Sequence, residues 1–178
     1  RSVKVDTIYE RKNLRAKVDY DLTVPEGMSL ELIRTINGKI IVSGKYDRAE
    51  LKTTNGSIEA KGDFNWLEAS TTNGGLEISG VRGKINLRTT NGSIKAELDE
   101  LSADFSARTT NGSIRLALGQ EANARFIART TNGSIKVEYP VTVEGTVSRR
   151  RLEGSLGKGG EIRVSLETTN GSISLVKL

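Results

Sequence analysis

Five cations hold one fixed place relative to a repeated tetrapeptide: Arg34, Lys52, Arg88, Arg108 and Arg129 each precede the Thr that opens Thr-x-Asn-Gly. Ser70 and Glu167 fill that place in the two remaining copies. A file of such groups suits a polyanion, such as an acidic polysaccharide, a phosphate-bearing envelope polymer or nucleic acid. Stacked like charges repel, so the file needs either a bound anion or neighbouring carboxylates. Solubility and pairing with nearby Glu are the plainer expectation. Aromatic residues make up 4% of the chain, too few to supply the stacking platforms of single-stranded nucleic-acid binders, so nucleic acid is disfavoured. Arg149, Arg150 and Arg151 form a second basic cluster. Three cations fall below the usual polybasic threshold for lipid headgroups, and a solvated loop is the simpler reading.

Other chemistry is thinly provided for. The chain has no Cys and no His, which removes thiolate nucleophiles, zinc-thiolate sites and the commonest general base. Glu59 with Glu77, and Glu50 with Glu68, stand one period apart and would lie side by side on an outer face. Such pairs could serve glycoside cleavage, but stacking produces them without function and no aromatic-lined cleft is visible. Gly154–Gly160 contains Gly-Lys without phosphate-loop spacing, and the repeated corner lacks the Asp of a calcium-binding roll. Five Asn-Gly-Ser triplets match the glycosylation acceptor pattern, yet glycans on successive corners would collide. Ice binding would need two outward Thr ranks, and here the flanking rank is cationic. No enzyme activity, cofactor or metal is expected.

The elements that carry these residues follow from the repeat itself. Its Asn residues are Asn37, Asn55, Asn73, Asn91, Asn111, Asn132 and Asn170, at intervals of 18, 18, 18, 20, 21 and 38 residues. The last interval is about two periods, predicting a repeat between Pro140 and Gly160 that has lost the motif. After each corner apolar and polar residues alternate, as in Ile58-Glu59-Ala60 and Ile94-Lys95-Ala96. Before it they alternate again, as in Phe105-Ser106-Ala107. Period two means half-buried strands, two per repeat. Antiparallel hairpins about each Asn-Gly would use the pattern, but a stacked parallel array explains better why the same residue recurs at the same phase. The predicted fold is therefore all-β: a single-stranded parallel β-helix, or β-solenoid, of about 18–21 residues per rung. Parity places the first Thr of each motif inward and the second outward. Asn-Gly takes the corner, where positive φ is expected.

An array of 178 residues needs little core, which suits 35% hydrophobic content. Residues 1–27 are expected to cap it with strands at 2–9 and 15–24, and 28–178 to form the repeats, with an irregular rung and loop at about 140–160. The net charge of +5 is modest, and no apolar run is long enough to span a bilayer. The chain opens at Arg1 without Met or a signal-peptide pattern, so an export signal or anchor upstream is compatible with it.

Val24-Pro25-Glu26-Gly27, the repeated Thr-x-Asn-Gly-x-Ile, the Gly-rich Gly154–Gly160 and the closing Thr-Asn-Gly-Ser-Ile-x-Leu together resemble a known family. It comprises bacterial β-repeat domains of unknown function classed with adhesins and related to toast-rack domains. The likeness runs from about Val18 to Leu178. It implies a β-helix, exported or carried by a membrane-anchored protein, with no catalytic residues to transfer. The expected function is a non-enzymatic adhesion, envelope-binding or spacer module in the periplasm or at the cell surface. Its partner would be an anionic envelope polymer, a polysaccharide or a protein. The sensory head of an envelope-stress protein is the alternative, and a polysaccharide-active enzyme the more distant one.

Overall fold

A computed structural model describes Val5 and residues 20–119, 122–143 and 148–178. Fourteen strands are present among them and no helix: β1 (Leu30–Arg34), β2 (Ile40–Lys52), β3 (Ile58–Asn73), β4 (Leu76–Ser79), β5 (Lys84–Asn91), β6 (Ile94–Leu98), β7 (Phe105–Asn111), β8 (Ile114–Leu118), β9 (Ala124–Asn132), β10 (Ile135–Val137), β11 (Val141–Val143), β12 (Arg151–Leu156), β13 (Arg163–Asn170) and β14 (Ile173–Lys177). The sheet runs β10-β14-β8-β6-β4-β3-β5-β7-β13-β9-β12-β11, with β2 beside β3 and β1 beside β2. It bends round one core into a nearly closed, barrel-like form. The predicted cap strand at 2–9 lies outside the described residues except for Val5, as does that at 15–24 except for 20–24, which carry no strand.

Each repeat contributes one strand before its corner and one after, and each strand pairs in parallel with its counterpart in the neighbouring layer. Leu67↔Ile85 and Ile85↔Phe105 lie on the strands before the corner, and Ile58↔Leu76 and Leu76↔Ile94 on those after it. In β2 and β3 the two halves are continuous through Gly44 and Gly62, which face each other in register. A Cβ on Gly62 (φ +118°) would lie 2.2 Å from the Gly44 carbonyl oxygen. Alternation puts Leu67, Leu87, Phe105, Ile114, Phe126 and Leu166 inside, each no more than 2% exposed. Burial of such thin rows drives the layers together.

Two expectations require correction. The array is not uniformly parallel, since β12 runs antiparallel to β9 and β11 antiparallel to β12, so strand directions are mixed. Nor does a motif-less layer fill the 38-residue interval. The chain instead leaves β10, is anchored by buried Tyr139, whose hydroxyl donates to the Gly119 carbonyl at 2.8 Å and accepts from the Ala122 N–H at 3.0 Å, and forms the antiparallel edge. It then turns back to thread β13 between β7 and β9, and β14 between β8 and β10. The last repeat in sequence is thus the penultimate layer in space. The backbone groups of two sequence-adjacent repeats find their partners in a third.

Candidate functional site

The corner is the most regular feature of the molecule. The first Thr of the motif is inward, as parity predicted: Thr53, Thr71, Thr89, Thr109, Thr130 and Thr168 are 2–7% exposed. A hydroxyl buried there needs an acceptor, and each finds the Gly carbonyl of the adjacent layer. Thr89 donates to Gly74 at 3.0 Å, Thr109 to Gly92 at 2.9 Å, Thr168 to Gly112 at 2.8 Å and Thr130 to Gly171 at 2.8 Å. The Asn amides form one chain along the surface. Asn55 donates to Asn37, Asn73 to Asn55, Asn91 to Asn73, Asn111 to Asn91, Asn170 to Asn111 and Asn132 to Asn170, all at 2.7–2.8 Å. Asn170 sits between Asn111 and Asn132 here too, so the inserted layer completes the ladder without a break. These amides are structurally engaged, and the ladder explains why the corner is polar.

The corner glycines have a different reason from the expected one. Of Gly38, Gly56, Gly74, Gly92, Gly112, Gly133 and Gly171, only Gly112 and Gly171 have positive φ, each 159° and close to extended backbone. What requires Gly is close approach. A Cβ on Gly56, Gly74, Gly92, Gly112, Gly133 or Gly171 would fall 1.9–2.0 Å from the carbonyl oxygen of the next corner Gly. Backbone oxygens held in a ladder cannot yield, so no side chain fits.

The cation file is real in register but not continuous in charge. Its spatial order is Arg34, Lys52, Ser70, Arg88, Arg108, Glu167, Arg129, and the antiparallel β12 adds Arg151 beside Arg129. Glu167, the apparent end of the row in sequence, stands between two arginines and bonds the Arg108 guanidinium. Lys52 is held by Glu50. Arg129 and Arg151 share Glu153, each at 2.8 Å. Hydrogen bonds from Arg129 and then Arg151 hold the Glu153 carboxyl below the usual range, and the Glu153 bond raises the Arg129 guanidinium. Arg34 and Arg88 make no ion pair among the described residues. Among the described residues the file therefore presents two cations outside any ion pair and several neutralised ones.

The carboxylate pairs predicted from the period are adjacent, Glu59↔Glu77 and Glu50↔Glu68. Three of the four carboxylates are engaged: Glu59 with Lys39, Glu77 with Lys95 at 3.0 Å and Glu50 with Lys52. Lys95 is raised by its hydrogen bonds to Glu77 and Glu97. Among the described residues no group of acids could hold a metal ion. The Arg149–Arg150 turn does not simply protrude. Its carbonyls accept from the N–H groups of Ile135 at 3.0 Å and Thr130 at 2.9 Å, on either side of the outermost motif corner. The turn backbone thus lies beside that corner, and both arginines are exposed.

Sequence reading missed one further feature. In the first layer Ile36 and Ile41 point outward, 62% and 65% exposed, where later layers place Thr in the first file and charged residues or Ser174 in the second. The signal was present in Thr35-Ile36-Asn37-Gly38, the copy in which an apolar residue replaces the outer Thr.

The sequence model of the Toastrack DUF4097 family matches residues 28–176. No curated protein and no solved structure matches the chain.

Proposed function

We propose, from the premise that the chain belongs to the Toastrack DUF4097 family of unknown function, that it is a non-enzymatic β-solenoid acting outside the cytoplasm. In this reading it is an adhesin-type or spacer module that meets the cell envelope along its basic face. The observation that carries the reading is the unbroken corner ladder of Thr and Asn bonds, which ties every motif layer to the next. Such a ladder makes a stiff support that displays one outward position per layer. Positions on the outer face vary in charge from layer to layer while the inner and corner positions do not, the division expected of a scaffold with a binding surface. The guanidinium groups of Arg34 and Arg88 are the contacts for an anionic polymer, with the neutralised Lys52 and the uncharged Ser70 between them setting the spacing.

The test is retention on an immobilised polyglycerol phosphate matrix as salt is raised. The wild-type chain should be retained at low ionic strength and released as exposed charges are screened. Changing Arg34 and Arg88 together to Ser should release the chain at clearly lower salt than wild type while leaving the melting temperature within a few degrees, because neither side chain makes an ion pair among the described residues. Retention equal to wild type would remove the file as the contact surface.

A further inference from the structure

A second basic site lies on the same outer face, at the other end of the strands from the file. Arg125 on β9 and Arg163 on β13 are cross-strand neighbours in a parallel ladder, with backbones about 4.8 Å apart. With Lys158, Glu161 and the Gly159-Gly160 backbone, they line a surface depression of about 670 Å³. The register places other cations side by side in the same way, and in each of those cases a carboxylate holds at least one member. Lys52 of the Arg34–Lys52 pair is held by Glu50, and Arg108 of Arg88–Arg108 by Glu167. Lys95 of Lys95–Arg115 is held by Glu77, and both members of Arg129–Arg151 by Glu153. Arg125 and Arg163 break this rule. Neither they nor Lys158 make an ion pair among the described residues, and Glu161 is the single acid lining the depression.

We infer that this depression is a binding site for a phosphate group, held by the Arg125 and Arg163 forks with Lys158 as a third charge. Two guanidinium groups on adjacent strands can each present paired N–H donors to a tetrahedral oxyanion. Lys158 adds an ammonium from the β12–β13 loop. That loop takes its shape from left-handed Gly157 (φ +56°) and Gly159 (φ +76°), and is pinned by the Asn123 side-chain oxygen, which accepts from the Lys158 N–H at 2.8 Å. A Cβ on Gly160 would meet only the Asn123 carbonyl oxygen, at 3.7 Å, so the floor is open to a ligand atom. The repulsion between the two arginines is relieved by the anion. The site uses no member of the cation file and does not depend on it.

The test is an amide chemical-shift titration with two probes, inorganic phosphate and glycerol 3-phosphate. Saturable shifts confined to Gly159, Gly160 and the starts of β9 and β13 are expected with at least one probe, and the tighter one identifies the source as free phosphate or a phosphate ester. Arg125→Gln with Arg163→Gln should weaken binding at least tenfold, and Lys158→Gln, which lies outside the sheet, should weaken it several-fold. Arg34→Ser with Arg88→Ser should leave it unchanged, separating this site from the polymer contact. Linear, unsaturated shifts spread over all exposed cations, or undiminished binding by both the double variant and Lys158→Gln, would overturn the assignment.

Discussion

At the scale of single residues the motif divides its labour. Thr supplies an inward hydroxyl that satisfies a neighbouring carbonyl, Asn a side-chain amide that continues a surface chain, and Gly the absence of a Cβ where two backbones nearly touch. The three are not equally replaceable. Thr89→Val keeps the shape and loses one hydrogen bond, a cost of about 1 kcal/mol. Gly92→Ala would place a methyl group 1.9 Å from the Gly74 carbonyl oxygen. That methyl must force the adjoining layers apart, costing ~3 kcal/mol or more. Urea unfolding of both variants checks the order; equal midpoints would refute the close-approach account. The inward Thr was legible in the sequence because strand parity is strict. The reason for Gly was not, because close approach arises between layers well separated along the chain and leaves no local trace.

At the scale of elements the antiparallel β12 does what parallel layers cannot. It covers the open side of β9 and brings Glu153 against Arg129 and Arg151. The lowered Glu153 carboxyl means that the folded state binds its proton less readily than the unfolded chain. Its contribution to stability is therefore complete above the unfolded carboxylate range, about pH 4.3, and is lost as pH falls through the lower folded value. Glu153→Gln should flatten the decline of stability between about pH 5 and pH 2 relative to wild type. Urea midpoints measured across that range give the comparison, and high salt should shrink the difference because the three groups lie at the surface. The edge was unreadable in advance because Val141–Val143 and Arg151–Leu156 are too short and too weakly patterned to announce a direction.

At the scale of the whole molecule the stacking order departs from the chain order at one place. Every layer carries nearly the same motif, so hydrophobic pattern alone permits any repeat beside any other. Charge held the one available clue: Glu167 occupies a position that is otherwise mostly cationic, and between Arg108 and Arg129 it neutralises a repulsion that direct contact of those two would create. The phosphate site was hidden for a related reason, since Arg125, Lys158 and Arg163 meet only once β13 is inserted and the β12–β13 loop closes over it. A chain ending at Gly160 lacks the layer that β7–β8 and β9–β10 both pair with. Hydrogen exchange should show residues 124–137 of that chain, left with β12 and its turn as their one remaining neighbour, much less protected than in the full chain while 58–98 keep near-native protection, because each layer depends chiefly on its immediate neighbours. Full protection of 124–137 would mean that the two repeats can stack directly.

The Asn chain at the corner also makes the molecule an electrical object. All six side-chain bonds point the same way, leaving the Asn37 Nδ2 group at one end and the Asn132 Oδ1 atom at the other. Aligned amide dipoles add, as they do along a helix, and bonds in such a chain polarise one another. The first layer thus carries a partial positive charge at its corner and the outermost layer a partial negative one. The Arg149–Arg150 turn, with two exposed arginines, lies beside the negative end, where cations are favoured. The two ends of the stack are therefore electrostatically unlike, and the corner has a direction that a mirror-image pairing of two such ends would have to oppose.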